Sequence, residues 1–266
     1  MICYVASILG VFDKYLERDT DSLIIETAKV YADILEEHPA EEYILIGYCV
    51  GGWLALETAR ILVEKGKNVS RVITISSSLC GHNYDNELLL ERAFGLSIGA
   101  DIEKAGYLGS NDLLQKALET YKEENGDKGI SIGDLCALHG EYEILGMSFR
   151  KLNKLSQEER LKKIYENVSG DEKIDADNVS MFKMLFLLFR HSFKGIMHYE
   201  PSVYVGDVQA MFVEDDTKHF FPVRNITNKS LWENIVLGQL TVDYIPGEHI
   251  SCLKEPYVRE VAKLIK

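Results

Sequence analysis

The hydrophobic positions follow two different spacings near the start of the chain, and together they predict an α/β arrangement. Apolar residues recur every three to four positions over 22–37, which is typical of a helix, and continuous apolar runs typical of buried strands follow at 43–47 and 69–75. Between these runs, the pattern at 52–65 predicts a second helix, which ends before Gly66. A strand, a helix and a strand in close succession predict a crossover unit of a parallel sheet.

The pattern changes between 81 and 198, where polar, mostly helical segments replace the strand-like runs. Strand-like runs return at 208–213 and 240–245, and a last helix is predicted at 255–266. We therefore expect an α/β core formed by 1–80 and 199–266, interrupted by a helical insertion at 81–198. The helices predicted in the insertion are 87–94, 113–124, 132–148, 157–167 and 178–193.

The composition is that of an ordinary soluble protein, with 46% hydrophobic and 27% charged residues in a chain of 266. The chain has 29 Lys and Arg against 42 Asp and Glu, which gives a formal net charge of −13. This acidic balance argues against nucleic acid as a partner, because such binding depends on clustered basic residues. No apolar run is long enough for a membrane span, and the first residues lack the pattern of a signal peptide. We expect a cytoplasmic protein without a membrane partner.

The cysteines do not follow a structural or metal-binding pattern. There are five of them at irregular spacing and without a CxxC pair, which disfavours both a disulfide framework and a zinc site. We expect no metal. Each thiol must therefore be judged by its surroundings, and a free cysteine is usually a small buried hydrophobic residue.

The most informative segment lies where the first buried run meets the following helix, at 46–53 (IGYCVGGW). Its spacing of glycine, nucleophile and glycine is that of a nucleophile elbow, with Cys49 in the nucleophile position. The turn strains the nucleophile's backbone, and glycines two residues away on either side leave room for neighbouring backbone. We expect Cys49 at the carboxyl edge of the sheet, where the positive end of the helix favours a thiolate. The elbow glycines are Gly47, Gly51 and Gly52. The alternative is a glycine-rich turn with a buried cysteine.

An elbow nucleophile needs a base, which in this type of fold comes late in the chain. His249 directly follows an apolar run and precedes the last helix, so we predict it as the base rather than as a solvated loop histidine. The third member of a triad is less clear. Ser76 stands at the end of one strand, where a carboxylate is possible, and Asp215 or Asp216 follows the next core strand. Either aspartate could orient His249, unless both belong to a solvated acidic turn, and Ser76 could accept a hydrogen bond from the histidine.

Several segments resemble the thioesterase domains that terminate nonribosomal peptide and polyketide synthases. The resemblance covers most of the chain and is specific at the elbow and around the histidine. It implies an α/β-hydrolase fold, with a mostly parallel sheet flanked by helices and a helical lid at 81–198, and it implies Cys49 as nucleophile and His249 as base. The segments are 43–60, 71–77, 198–201 (HYEP) and 247–249 (GEH), together with Leu253 and Pro256.

The sequence departs from this family in three places. The family usually has serine where Cys49 stands and aspartate where Ser76 stands. Family members also have one or two further strands ahead of the matched segment, including a loop that supplies an oxyanion-hole amide. Residues 1–6 resemble the strand just before the first long helix, in which case that loop is absent; in a second alignment, 7–10 is the loop itself. One oxyanion donor contributes on the order of 10² to 10³ in rate.

The resemblance implies acyl transfer from a thioester on the phosphopantetheine arm of an acyl or peptidyl carrier protein, with no cofactor bound by this domain. The Cys49 thiolate would attack the acyl or peptide substrate, and the amide of Val50 is the expected oxyanion donor. One alternative is a cysteine-dependent acyltransferase similar to polyester synthases, whose elbow also carries cysteine. A second is a carrier-docking, hydrolase-like module without activity, suggested by the missing carboxylate at Ser76.

Overall fold

The computed structural model describes residues 12–79, 85–126, 128–168, 176–214 and 228–265, with side chains for all but 12, 13, 176–179 and 228. The chain forms two compact units. Within the described ranges, the first unit consists of 12–79, 191–214 and 228–265, and the second consists of the residues between 85 and 190.

Among the described residues, strand, helix and strand follow one another twice, once before and once after a series of helices. The four strands of these residues are β1 (Tyr43–Tyr48), β2 (Val69–Ile75), β3 (Val208–Val213) and β4 (Leu240–Ile245). The helices are α1 (Phe12–Leu16), α2 (Leu23–Glu37), α3 (Val50–Glu64), α4 (Glu87–Ser97), α5 (Ile102–Ala105), α6 (Asn111–Asn125), α7 (Ile132–Ala137), α8 (Glu143–Leu152), α9 (Gln157–Glu166), α10 (Ala176–His198), α11 (Asn228–Ile235) and α12 (Val258–Leu264).

The first unit contains a parallel sheet whose described strands lie in the order β1-β2-β3-β4. The ends of β1 and β2 are level, because Tyr48 pairs with Ile75. The ends of β3 and β4 are level with each other two residues further on, because Ile75 pairs with Met211 and Val213 pairs with Ile245. All four strands run in the same direction, so their carboxyl ends meet at one edge. This confirms the α/β class predicted from the sequence, and that edge is where such folds place ligands and catalytic groups.

Helices cover both faces of this sheet. On one face, α3 packs against β1 and β2, and α2 packs against α3. On the other face, α12 packs against β4. The first core includes Ala28, Ala32, Tyr43, Ile61 and Leu62. The second includes Ile73, Ile75, Met211, Val213, Ile245, Cys252 and Val261. Burial of side chains in two such layers supplies the main driving force that holds the strand ends in place.

Helix α3, which begins at the predicted elbow, is anchored by buried aromatic and charged side chains. Trp53 stacks on Trp232 with ring centroids 4.7 Å apart and donates from Nε1 to the carbonyl of Ser78 at 3.2 Å. One turn further on, the buried carboxylate of Glu57 accepts from the hydroxyl of Tyr199 at 2.7 Å and pairs with Arg60 at 2.7 Å. A buried charge is tolerated only when it is paired in this way. These contacts fix the helix that follows Cys49.

The second unit has a polar network in its own core. The carboxylate of Glu91 is fully buried and accepts two bonds from Arg160, at 2.6 and 2.9 Å, and one from the hydroxyl of Tyr107 at 2.7 Å. Phe94, which follows Glu91 by three residues in α4, packs against aromatic rings of α10.

Across the described ranges, no helix has the length and apolar character required to cross a membrane.

Three details of the sequence-based prediction are wrong. The strand β1 is not covered on both faces, since Ile44 and Ile46 are 47% and 51% exposed at one end of the described strand order. The helix predicted at 132–148 is interrupted between α7 and α8, where Gly140 has a φ of +64°, a value that a continuous helix does not contain. The last helix begins at Val258 instead of at 255.

Candidate active site

The predicted nucleophile lies at the carboxyl edge of the sheet, directly after β1. The backbone N–H of Cys49 still donates to the carbonyl of Ile75 at 3.0 Å, and the N–H of Ser76 donates to Met211 at 2.8 Å. Both residues therefore continue the pairing of their strands. Since Tyr48 is paired with Ile75 in the β1–β2 register, the residues that follow them, Cys49 and Ser76, come to lie side by side at the edge.

The chain turns sharply at Cys49. Its φ of 55° and ψ of −124° lie in a region that residues other than glycine rarely adopt. Such a conformation costs on the order of 1–3 kcal/mol and persists only when the surrounding structure imposes it. The Cys49 carbonyl accepts a bond from the N–H of Gly52 at 3.1 Å, so the strand changes into helix α3 within one residue. This is the strained strand-to-helix turn expected of a nucleophile elbow.

Two of the three elbow glycines are required by close contacts. A Cβ on Gly47 would lie 1.9 Å from the carbonyl oxygen of Gly51, and a Cβ on Gly52 would lie 2.0 Å from the hydroxyl oxygen of Ser77. A Cβ on Gly51 would meet nothing within 4 Å. The steric argument from the sequence is therefore correct at Gly47 and wrong at Gly51, because the Gly51 backbone lies against Gly47 while the position of a Gly51 Cβ faces open space.

The predicted base is buried and bonded to the end of β2. His249, in the loop after β4, is only 4% exposed, and its Nδ1 lies 2.7 Å from the hydroxyl oxygen of Ser76. The hydroxyl donates if Nδ1 is unprotonated and accepts if Nδ1 carries the proton. The structure thus brings Ser76 and His249 together across 173 positions of sequence.

A compact turn and a neighbouring tyrosine hold the histidine in place. The N–H groups of Ser251 and Cys252 both donate to the carbonyl of Glu248, at 3.0 and 2.9 Å. Tyr48, the residue before the nucleophile, stacks on the imidazole with ring centroids 5.1 Å apart and donates its hydroxyl to the carbonyl of His249. The imidazole therefore touches the residue that precedes Cys49 in the chain and the residue beside it across the sheet.

The thiol of Cys49 is not poised as a thiolate, contrary to the expectation from the helix terminus. Burial by the surrounding protein raises the pKa of Cys49 to about 11, although the side chain keeps partial exposure to solvent. A hydrogen bond from the backbone N–H of Val50 lowers the pKa, but by less than burial raises it. At neutral pH this thiol is protonated, so its reaction as a nucleophile needs a base.

Several predicted positions lie outside the described residues. They include Asp215, Asp216, the runs 1–6 and 7–10, and two of the cysteines. Glu214, which precedes the two aspartates, is exposed at the end of β3. The roles of Asp215 and Asp216 stay predictions. Among the residues that the structure does cover, Cys49, Cys136 and Cys252 are free thiols, and no cluster of three His, Cys, Asp or Glu side chains could hold a metal.

Comparison with known proteins shows a similarity to thioesterase domains. Residues 17–92 match the family model described as Thioesterase domain, a range that contains β1, the elbow, α3 and β2. Pyochelin synthetase PchF of Pseudomonas aeruginosa is 28% identical over 259 residues, which cover 94% of this chain and 13% of that protein. The protein of the same name from a second strain is 27% identical with the same coverage. The chain thus spans about an eighth of the length of these curated relatives.

Solved structures show the same fold at low identity. A four-domain nonribosomal peptide synthetase, holo-AB3403, superposes with a TM-score of 0.57 and 20% identity over 91% of this chain and 15% of that one. The Vlm2 thioesterase domain bound with a dodecadepsipeptide superposes with a TM-score of 0.51 and 17% identity, over 90% and 74% of the two chains.

Residues 17–92 are thus similar to the Thioesterase domain family, and the chain is similar to a segment of pyochelin synthetase PchF. This similarity supports a thioester hydrolase as its class of enzyme. The family model reaches Cys49 and Ser76 but ends well before His249, so the contact between Ser76 and His249 is evidence independent of that match.

The contacts of Tyr48 were not predicted from the sequence. The tyrosine reaches His249 across 201 positions, and only the folded sheet edge reveals the pair. Its position directly before Cys49 could have indicated a place in the site, because the residue before the nucleophile must lie at the same edge of the sheet.

We expect Gly47→Ala and Gly51→Ala to have opposite effects on stability. Gly47→Ala forces a methyl group into the backbone of the elbow and should lower the free energy of unfolding by at least about 2 kcal/mol. Gly51→Ala adds a methyl group in open space within α3 and should be neutral or stabilise by up to about 1 kcal/mol. Urea unfolding measures both values. Equal losses in the two variants would contradict the asymmetric elbow.

Proposed function

We propose that this chain releases or transfers an acyl or peptidyl group from a carrier-protein thioester, through an acyl-enzyme on Cys49. The observation that supports this most is the placement of His249. Its imidazole stacks on Tyr48 and bonds to Ser76, the two residues that flank Cys49 along the chain and across the sheet. A base in this position serves a thiol that burial keeps protonated.

We propose different tasks for the two ring nitrogens of His249. In the proposed tautomer, Nδ1–H donates to the hydroxyl oxygen of Ser76, and the unprotonated Nε2 accepts the proton of the Cys49 thiol. Ser76 then takes the orienting place that a carboxylate has in a conventional triad. A neutral hydroxyl orients the imidazole but, because it can donate or accept, selects neither tautomer, and it stabilises the imidazolium less than a carboxylate would.

The proposed reaction proceeds in two halves. The Sγ of Cys49 attacks the thioester carbonyl carbon while its proton moves to Nε2 of His249, and the tetrahedral intermediate then expels the pantetheine sulfur. That sulfur takes the proton from Nε2–H and leaves as a free thiol. Water, or an amine or hydroxyl nucleophile, attacks the new thioester on Cys49 in the same way and regenerates the thiol.

The backbone N–H of Val50 is the proposed oxyanion donor. Val50 is the first residue of α3, and its N–H already interacts with the Cys49 thiol and lowers the pKa of that thiol. An amide at a helix N-terminus points toward the carboxyl edge, where the carbonyl oxygen of a substrate becomes negative during attack.

The proposed partner is an acyl or peptidyl carrier protein. The relatives are parts of multidomain synthetases, and the Vlm2 thioesterase domain binds a depsipeptide. A carrier delivers its substrate on a flexible phosphopantetheine arm, so the proposed domain itself needs no bound cofactor. We propose a cytoplasmic setting for this chemistry, as expected from the sequence.

We also propose that the helical unit between 85 and 190 acts as the lid of this site. Acylation of Cys49 by a long-chain thioester should then slow amide hydrogen exchange in α4 or α6, since a closed lid limits local opening. Mass spectrometry of peptides from these helices measures the change, with the Cys49→Ala variant as control. Identical exchange in acylated and free protein would contradict a lid.

Cys49→Ala should abolish turnover of an acyl N-acetylcysteamine thioester, which mimics the carrier arm. Intact mass should show the acyl group on the wild-type chain and none on this variant. The matched control is Cys136→Ala, because Cys136 is another partly exposed thiol whose pKa burial raises. Acyl transfer to Cys136, or unchanged turnover in Cys49→Ala, would exclude the proposed nucleophile. Carrier binding without acylation would instead support a docking module.

Ser76 variants should change the pH dependence of turnover. Ser76→Ala should lower kcat by roughly 10- to 100-fold, because the imidazole loses its orienting bond. Ser76→Asp should keep the bond and raise the pKa of His249, since a carboxylate stabilises the imidazolium. The acidic limb of the pH–rate profile should then move to higher pH, because the base must be neutral to accept a proton.

The control for this series is Ser70→Ala, which removes a hydroxyl near the amino end of the same strand. It should leave the pH–rate profile unchanged. A double variant, Asp215→Asn with Asp216→Asn, tests the other orienting candidates. A larger loss of kcat in that double variant than in Ser76→Ala would assign the orienting role to the aspartates.

A further inference from the structure

Tyr48 makes two separate contacts with the histidine. Its ring lies nearly parallel to the imidazole, with an interplanar angle of 27° and a centroid distance of 5.1 Å. Its hydroxyl donates to the backbone carbonyl of His249. One contact restrains the plane of the imidazole, and the other restrains the backbone that carries it.

These contacts connect the strand that precedes Cys49 to the loop that carries His249. Tyr48 is the last residue of β1, it is paired with Ile75, and it is bonded through the chain to Cys49. The loop that carries His249 follows β4, which two strands separate from β1 in the sheet. The bond to Ser76 restrains one ring nitrogen of His249, and the contacts of Tyr48 add a restraint on the ring plane and on the loop backbone. Tyr48 spans the gap from the strand that bears the nucleophile.

The hydroxyl of Tyr48 is a dependable donor. Burial raises its pKa well above the ordinary value, and the nearby thiols of Cys49 and Cys252 raise it further. The tyrosine therefore stays protonated throughout the pH range in which the thiol and the imidazole exchange a proton. The Cys252 thiol also donates to the His249 carbonyl, at 3.5 Å, but a thiol is the weaker donor.

We propose that Tyr48 is a positioning residue for the base, which aligns the imidazole of His249 with the Cys49 thiol through ring stacking and through its bond to the loop backbone. This inference rests on the proposed function of Cys49 and His249. The ring face also favours the imidazolium that forms when the base accepts a proton, because the negative face of an aromatic ring attracts a cation.

The same strand offers a matched control. Tyr43, at the start of β1, is buried where Tyr48 is half-buried. Its hydroxyl donates to the carbonyl of Leu35 at 3.2 Å and accepts from the N–H of Ala40 at 3.1 Å. Tyr43→Phe and Tyr48→Phe therefore each remove one hydroxyl bonded to a carbonyl from the same strand. A merely structural role predicts similar consequences for the two, whereas a positioning role predicts an effect on the reaction from Tyr48 alone.

The experiment measures turnover of an acyl N-acetylcysteamine thioester and alkylation of Cys49 by iodoacetamide, from about pH 6 to about pH 10. Tyr48→Phe should lower kcat about tenfold with little change in KM, and Tyr48→Leu, which also loses the stack, about a hundredfold. Tyr43→Phe should stay within about twofold of wild type in kcat, with a loss of thermal stability similar to that of Tyr48→Phe.

A second set of variants carries His249→Ala as well. If Tyr48 acts through the histidine, adding Tyr48→Phe to His249→Ala should change the alkylation rate by less than about twofold. The positioning role is overturned if Tyr48→Phe matches Tyr43→Phe in kcat, or if its effect persists without the imidazole. Wild-type turnover in Cys49→Ala or His249→Ala would overturn the proposed function as well. Loss of turnover in those two variants, with normal rates in both Tyr48 variants, would overturn this inference alone.

Discussion

The reversal of the backbone at Cys49 is the constraint on which the rest of the site depends. Its N–H still pairs with the sheet while its carbonyl already belongs to the first turn of α3. A residue can satisfy both only with the positive φ observed here, and the absence of a side chain at Gly47 lets the helix backbone approach the strand. The buried anchors Trp53 and Glu57 fix α3 and so offset the cost of that conformation.

Local pattern was sufficient to predict the elements that form the sheet. The four strands have the continuous or alternating apolar runs from which they were predicted, because a strand in a covered sheet selects apolar residues by burial. The short helices α1, α5 and α11 were missed, since four to eight residues give too few turns to show a helical period. The break at Gly140 escaped notice because buried residues such as Leu135 and Leu145 continue the apolar spacing on either side of it.

In the candidate site, too, some residues could be predicted from the sequence, whereas other contacts depend on the fold. Cys49 could be predicted because the elbow needs its glycines nearby in the sequence, and His249 because the fold places a base after the last strand. The partner of Nδ1 depends on how far the loop after β4 reaches back over the sheet edge. Ser76 was therefore only one of three candidates for this partner, and its bond to His249 could be recognised only in the folded structure. The contact of Tyr48 depends on tertiary packing in the same way.

In the proposed mechanism, the raised pKa of the Cys49 thiol favours transfer of its proton to His249 during attack over a preformed ion pair. With a pKa of about 11, ionising the Cys49 thiol at neutral pH costs on the order of 5 kcal/mol. An imidazolium held by a neutral hydroxyl repays only part of that cost, because Ser76 brings no charge of its own. A base that accepts the proton only as the carbon–sulfur bond forms avoids the full cost. Its effectiveness then depends more on the alignment of the imidazole with the thiol than on charge. The contacts that restrain His249 are therefore central to the proposed mechanism.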